Sequence, residues 1–169
     1  MSLRTLHVEQ LTAEAFAPFG DVIEAGAHTR RIDINYGNTV RFHDLATLDL
    51  STDNGRAGVS IFRSKPLPLP IKIEVMEYHP KSSQAFVPLS PNPYLVVVAP
   101  KGPFHAASMR AFLARPGQGV NYHAGTWHHF SLALEGESDF LVIDRIADDD
   151  NCVEHQLTAS EQALISLQA

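Results

Sequence analysis

The chain of 169 residues, 44% hydrophobic and 19% charged, has the size and composition of a globular domain that can bury a core. Its formal net charge of -6 argues against a dedicated nucleic-acid-binding protein, which would present a basic face. The N-terminus lacks the apolar segment of a signal peptide, and the longest apolar run, residues 94–100, is too short to cross a membrane. The single cysteine, Cys152, fits a reducing compartment. We therefore expect one soluble, cytoplasmic domain covering residues 1–169, with no nucleic-acid or membrane partner.

The first part of the chain is predicted to form short strands and one short helix. Strands are predicted at 3–8, 21–24, 32–36, 39–45 and 59–63, and a helix at 13–19 with Thr12 as its N-cap. Asn35, Gly37 and Asn38 predict a turn between two of these strands. The alternating prolines of residues 65–70 predict an extended connector, because proline cannot join a central ladder.

Further short strands are predicted in the second part. They cover 71–76, a run starting at Gln84, 94–99, 109–113, 127–134 and 140–145, and residues 94–99 are apolar on both faces, as in a fully buried strand. A short C-terminal helix is predicted after Thr158 or Ser160. Many short strands with eleven prolines and ten glycines predict an all-β single domain, a barrel or sandwich, with one or two short peripheral helices.

Polar groups interrupt an apolar strand face between residues 71 and 88. The apolar face of residues 71–75 continues into Glu77 and His79, and Gln84 begins the next strand on the same face as Phe86. A carboxylate, an imidazole and an amide aimed inward suit either a metal site or general acid–base chemistry. The alternative is a Glu–His pair at a solvated strand end.

Three histidines lie within residues 122–129. If this segment is a strand, His128 shares a face with Phe130 and points inward, whereas His129 faces solvent or an interface. A lone inward histidine is more often a core residue with its hydrogen bonds satisfied, but His123, His128 and His129 together favour a functional site.

Two arginines are candidates for binding a substrate carboxylate. Arg63 follows Val59 and Ile61 on their face and is expected to point inward, and Arg41 is the second candidate. A guanidinium can bind a carboxylate through two parallel hydrogen bonds. The alternative for each is a salt bridge at the rim.

Several segments together resemble the ureidoglycolate lyase family, which also carries the older family name ureidoglycolate hydrolase. They are Glu-Tyr-His-Pro at 77–80, Gln-Ala-Phe-Val-Pro at 84–88, residues 119–123 with Trp-His-His at 127–129, and Phe-Leu-Val-Ile-Asp-Arg at 140–145. Residues 35–44 and 150–152 also match. The resemblance therefore extends over nearly the whole chain.

The resemblance implies a cupin-like β-barrel with its site inside, a homodimer and nickel as a cofactor. The first cupin motif, His-x-His followed by Glu, corresponds here to Glu77-x-His79 followed by Gln84, and residues 123–128 correspond to the second. The metal ligands implied are Glu77, His79, Gln84 and His123. Because glutamine is a poor ligand for a tightly held transition metal, any bound divalent ion is expected to be held weakly.

The family reaction splits ureidoglycolate into glyoxylate and urea during allantoin breakdown. On this hypothesis Arg63 or Arg41 binds the substrate carboxylate, and Gln84 also binds the substrate. His123 or His79 is the base, and His128 or Glu77 protonates the departing nitrogen. The alternatives are a hydrolase that releases ammonia from ureidoglycolate, and a non-catalytic cupin that senses a small carboxylate.

Overall fold

The computed structural model describes residues 3–167. Strands contain 45% of these residues and helices 8%, which confirms the all-β class and is compatible with a cupin-like fold. The α-helix α1 covers Ala13–Phe16, and the Thr12 hydroxyl accepts a hydrogen bond from the Ala15 amide, which confirms the predicted N-cap.

Seventeen strands follow one another within residues 3–167. The first nine are β1 (Arg4–Thr5), β2 (Val8–Gln10), β3 (Gly20–Ile23), β4 (Arg30–Ile34), β5 (Thr39–His43), β6 (Arg56–Ser64), β7 (Ile71–Ile73), β8 (Val75–Tyr78) and β9 (Gln84–Pro88). The others are β10 (Tyr94–Ala99), β11 (Arg110–Ala114), β12 (Gly119–Tyr122), β13 (Trp127–His128), β14 (Leu132–Ala133), β15 (Ser138–Ile146), β16 (Val153–Gln156) and β17 (Ala163–Ile165). Three short 3-10 turns cover Asn35–Gly37, Thr52–Asn54 and Ala106–Ser108.

The strands form three packed sheets and one separate hairpin. Sheet A has the order β1-β17-β7, sheet B has β16-β8-β13-β10-β11-β2 with β14 also on β10, and sheet C has β3-β12-β9-β15-β6. The hairpin consists of β4 and β5, which pair with no other strand in the described part of the chain. Most strand pairs are antiparallel, and β1–β17 and β2–β11 are parallel.

The buried strand β10 separates two hydrophobic cores. Its residues Leu95, Val97 and Ala99 pack with sheet A in one core. Its alternate residues Val96 and Val98 pack with sheet C in the other. Successive side chains of a strand point to opposite faces, so this strand is apolar throughout, as its sequence predicts.

The predicted C-terminal helix is wrong. Residues 163–165 form β17, which lies between β1 and β7. Ala163 and Ile165 are buried while Leu164 is only partly so, which is the period-two pattern of a strand. A turn beginning at Thr158, whose amide donates to the Glu161 carboxylate, takes the place of the predicted helix start. Only one of the one or two expected helices is therefore present among residues 3–167.

None of the helices within residues 3–167 has both the length and the apolar character needed to span a bilayer.

Candidate active site and metal-binding residues

Glu77 and His128 face each other because their strands are neighbours in sheet B. Glu77 of β8 and His128 of β13 are paired residues of an antiparallel ladder, and such residues point to the same face. The Glu77 Oε1 atom lies 3.4 Å from His128 Nε2. The His128 imidazole is the main cause of a lowered pKa of the Glu77 carboxyl, against the opposing effect of burial. The Glu77 carboxyl group is therefore ionised at neutral pH.

The His128 ring is held on two sides and has one unused nitrogen. Nδ1 donates a hydrogen bond to the Thr126 carbonyl at 3.0 Å, and the ring stacks on Tyr122 with centroids 4.3 Å apart and planes at 5°. The residue is only 2% exposed, and Nε2 has no hydrogen-bond partner among residues 3–167. A buried nitrogen facing a carboxylate oxygen requires a proton or a cation between the two atoms.

His79 follows β8 directly and is connected to sheet C through Gln84. Its Nδ1 donates to the Asn151 carbonyl at 2.7 Å, and its Nε2 lies 3.1 Å from the Gln84 Oε1 atom. The Gln84 amide nitrogen donates in turn to Asp144 Oδ2 at 3.2 Å. The rings of His79 and His128 are 5.1 Å apart. These contacts fix the orientation of His79 within the site.

The side chains of Glu77, His79 and His128 form a group suited to a metal ion. One ligand atom from each lies within 4.8 Å of the other two. Two imidazoles and a carboxylate are ligands used by nickel, zinc and iron, and the unpartnered Nε2 of His128 is a ready donor. The residues therefore fit a divalent metal, with His128 in place of the predicted His123. Gln84 instead hydrogen-bonds to His79.

A cavity of about 200 Å³ opens beside His79. It is lined by His79, Ser82, Gln84, Asp144, Arg145, Asn151 and Cys152. Arg145 is the cationic side chain of this lining, but its guanidinium already donates to Asp149 and to the carbonyls of Thr52 and Asp53. Burial and the Glu77 charge raise the pKa of the Cys152 thiol to about 11, so the thiol stays protonated at neutral pH.

The predicted inward orientation of Arg63 is wrong. Its side chain is 65% exposed and donates two hydrogen bonds to Asp139, at 2.8 and 2.9 Å. Val59 and Ile61, on the same face of β6, are also exposed, because this face of sheet C points outward. Arg41 is exposed on the β4–β5 hairpin, and neither arginine lines the cavity beside His79.

His123 and His129 also lie apart from the group. His123 is 48% exposed and directly follows β12, and its Nε2 lies 3.1 Å from the Asp21 carboxylate. The predicted exposure of His129 is wrong, because this residue is 3% exposed and Phe130 is 49% exposed. The strand ends at His128, and the His129 amide bonds to the Val97 carbonyl, so the alternation does not continue.

Four residues without a predicted site role contact the group or its neighbour Gln84. They are Tyr122 under His128, Asn151 on His79, Asp144 on Gln84 and Cys152 on Glu77. All four lie in segments of the family resemblance, 119–123, 140–145 and 150–152. The family resemblance identified these segments, but it did not show which of their side chains face inward.

Comparisons with known proteins agree with this picture. A family profile described as ureidoglycolate lyase matches residues 3–164. A protein named ureidoglycolate lyase from Pseudomonas aeruginosa strain LESB58 is 49% identical over 168 residues, covering 99% of each chain. One of the same name from Burkholderia cepacia is 55% identical over 150 residues, covering 88% of this chain and 84% of that protein. The chain therefore belongs to the ureidoglycolate lyase family.

Proposed function

We propose that the protein is a ureidoglycolate lyase that cleaves ureidoglycolate to glyoxylate and urea in purine catabolism. Relatives with this name are about 50% identical to the chain over nearly its full length. The structural support for this proposal is that Glu77, His79 and His128 converge next to a small polar cavity. Groups of this kind move protons to and from a small substrate.

The reaction needs one proton removed and one delivered. As the hydroxyl proton of ureidoglycolate leaves, its oxygen forms a C=O bond, the C–N bond breaks, and the departing urea nitrogen takes up a proton. Water is not consumed. We assign the base to His128, whose Nε2 has no hydrogen-bond partner among residues 3–167, with the Glu77 carboxylate at 3.4 Å stabilising the resulting imidazolium. We assign proton delivery to His79, and orientation of the substrate to Gln84.

A divalent metal would be held by Glu77, His79 and His128, and it would supply Lewis-acid polarisation of the substrate carboxylate and hydroxyl. Nickel is the ion that the family resemblance implies. With the ion bound, the Nε2 lone pair of His128 would be a ligand, so the proton transfers assigned above belong to the protein without the ion. In both states the Tyr122 ring and the Thr126 carbonyl position His128, and Asn151 positions His79.

The products test this function. We expect purified protein to convert ureidoglycolate into equal amounts of glyoxylate and urea without ammonia. Colorimetric urea and ammonia assays together with glyoxylate detection measure all three compounds. Ammonia in place of urea would identify a hydrolase instead, and binding without turnover would identify a sensor.

We propose that two copies associate through the outer face of sheet C to form a homodimer. The edge strand β6 presents Val59 at 69% and Ile61 at 53% exposure on that face. Exposed apolar side chains grouped on one face of a sheet mark a surface that binds another protein chain.

The oligomeric state tests the proposed interface. We expect Ile61→Glu to convert a dimer into a monomer, because it places a charge at the centre of the apolar face. Size-exclusion chromatography with light scattering measures the mass. The matched control is Val153→Glu, a substitution on the exposed part of β16 in sheet B, which should leave the dimer intact. A monomeric wild-type protein, or equal effects of both variants, would contradict the proposal.

We also propose that the chain forms one domain that acts in the cytoplasm. The family match covers residues 3–164, and the two cores share β10. The single free cysteine fits a reducing compartment.

A further inference from the structure

A second polar cavity, of about 520 Å³, lies between α1, β3 and the base of the β4–β5 hairpin. Its polar lining comprises Asp21, His28, Thr29, Arg30, His43, Asp44 and His123. None of these residues lines the cavity beside His79. The mechanism assigned to Glu77, His79 and His128 makes no use of this cavity.

The Asp21 carboxylate is held in one position in the cavity wall by three hydrogen bonds. Its Oδ2 accepts hydrogen bonds from the Thr47 amide at 3.1 Å, the Asn121 side chain at 2.9 Å and His123 Nε2 at 3.1 Å. A Cβ atom at Gly20 would come within 1.9 Å of the Asn121 carbonyl, so only glycine allows β3 to approach β12 this closely. The position of Asp21 is therefore built into the pairing of these two strands.

The Asp21 contact determines which nitrogen of His123 carries the proton. Nε2 donates the hydrogen bond to the carboxylate and therefore carries the ring proton, so in neutral His123 the Nδ1 atom keeps its lone pair. The ring is 48% exposed and lines the cavity. A histidine oriented by a carboxylate in this way presents a hydrogen-bond acceptor to a ligand hydroxyl.

Two further groups add hydrogen-bonding capacity to the wall. His43 lines the cavity, and its buried Nδ1 has no hydrogen-bond partner within residues 3–167. Buried polar atoms without partners are uncommon, and a bound molecule is one way in which such an atom is satisfied. Arg30 supplies a guanidinium, which binds carboxylates through paired hydrogen bonds.

We propose that this cavity is a second binding site, for a small hydroxy acid whose carboxylate is bound by Arg30 and whose hydroxyl donates to His123. Asp21 is a positioning residue for this contact. The site is independent of the proposed lyase function, because binding here requires none of the residues assigned to the reaction. Its ligand belongs to the same chemical class as the proposed substrate.

Glycolate, with acetate as the probe that lacks the hydroxyl, tests the site. Side-chain NMR signals of the histidines, assigned by single His→Gln variants, report where each acid binds. We expect glycolate to shift the signals of His43 and His123 to saturation, and to bind there about tenfold more tightly than acetate, as expected for one hydrogen bond.

Asp21→Asn separates the positioning role from the general shape of the cavity. Asparagine keeps the size of the side chain but removes the charge of the one oxygen that all three donors share. The atom that replaces this oxygen is either a neutral, weaker acceptor or an NH₂ donor, so in both orientations the proton on His123 Nε2 is held less firmly. We expect about tenfold weaker glycolate binding with acetate binding unchanged. If this variant does not fold, His123→Gln in the same titration should abolish the preference for glycolate over acetate.

Three results would overturn the proposal. They are glycolate shifts confined to His79 and His128, equal affinities for glycolate and acetate, and an unchanged preference for glycolate in the variants. Turnover is not measured in this experiment. A protein that produced no urea could therefore still show the second site, and an active lyase could still lack it.

Discussion

Replacing Glu77 by glutamine is expected to lower kcat for ureidoglycolate cleavage by roughly 10²–10⁴-fold. Glutamine keeps the size of the side chain and removes the negative charge that lies 3.4 Å from His128 Nε2. The imidazolium formed when His128 takes the substrate proton then loses its counter-charge. Steady-state kinetics with urea detection measure the effect.

Glu74→Gln is the matched control for this substitution. Glu74 lies three residues before Glu77 on the chain, is exposed, and pairs with Lys72 at 2.6 Å. We expect this variant to retain the wild-type kcat, because the exposed Lys72–Glu74 ion pair does not contact Glu77, His79 or His128. Similar losses in both variants, or near-wild-type turnover of Glu77→Gln, would remove Glu77 from the mechanism.

The same pair of variants tests the metal-binding residues without an activity assay. In equilibrium dialysis with nickel, we expect Glu77→Gln to bind the ion at least roughly tenfold more weakly than wild type, because an anionic ligand has been lost. Glu74→Gln should bind nickel as wild type does. Equal nickel binding by all three proteins would show that the ion binds elsewhere.

The protein is expected to lose about 3 kcal/mol of stability between pH 6.5 and pH 4 through His129 alone. Burial lowers the pKa of the His129 imidazole to about 4, whereas the ordinary value is near 6.5. In this window the unfolded chain binds a proton that the folded protein does not bind. Protonation therefore favours unfolding, and the contribution of His129 is complete above pH 6.5 and lost as the pH falls towards 4.

Urea denaturation at pH 7, 6, 5 and 4.5 measures this dependence. We expect His129→Gln to flatten the fall in unfolding free energy with pH, whatever its stability at pH 7. His105→Gln, a substitution of an exposed histidine, should keep the wild-type slope. An unchanged slope in His129→Gln would mean that His129 is protonated without unfolding.

Local sequence patterns correctly predicted the elements that depend mainly on residues close together in the chain. Residues 94–99 are apolar on both faces and form the buried β10, and Asn35, Gly37 and Asn38 form the turn between β4 and β5. The inward placement of His128 was confirmed because it lies within β13. The single strand predicted at 71–76 is two strands, β7 and β8, and Met76 is fully buried although it alternates with the buried Ile71 and Ile73.

The sequence by itself determined the all-β class, the family and the segments that carry Glu77, His79, Gln84 and His128. Only the tertiary structure decided which polar side chains meet. His123 and Tyr122 are adjacent in sequence, but Tyr122 stacks on His128 whereas His123, just after the end of β12, contacts Asp21. The Arg63 face of β6 is apolar although it points outward. Alternation along a strand separates two faces without identifying the buried one. That choice depends on which sheet packs against each face, and this packing is set by contacts between residues far apart in sequence.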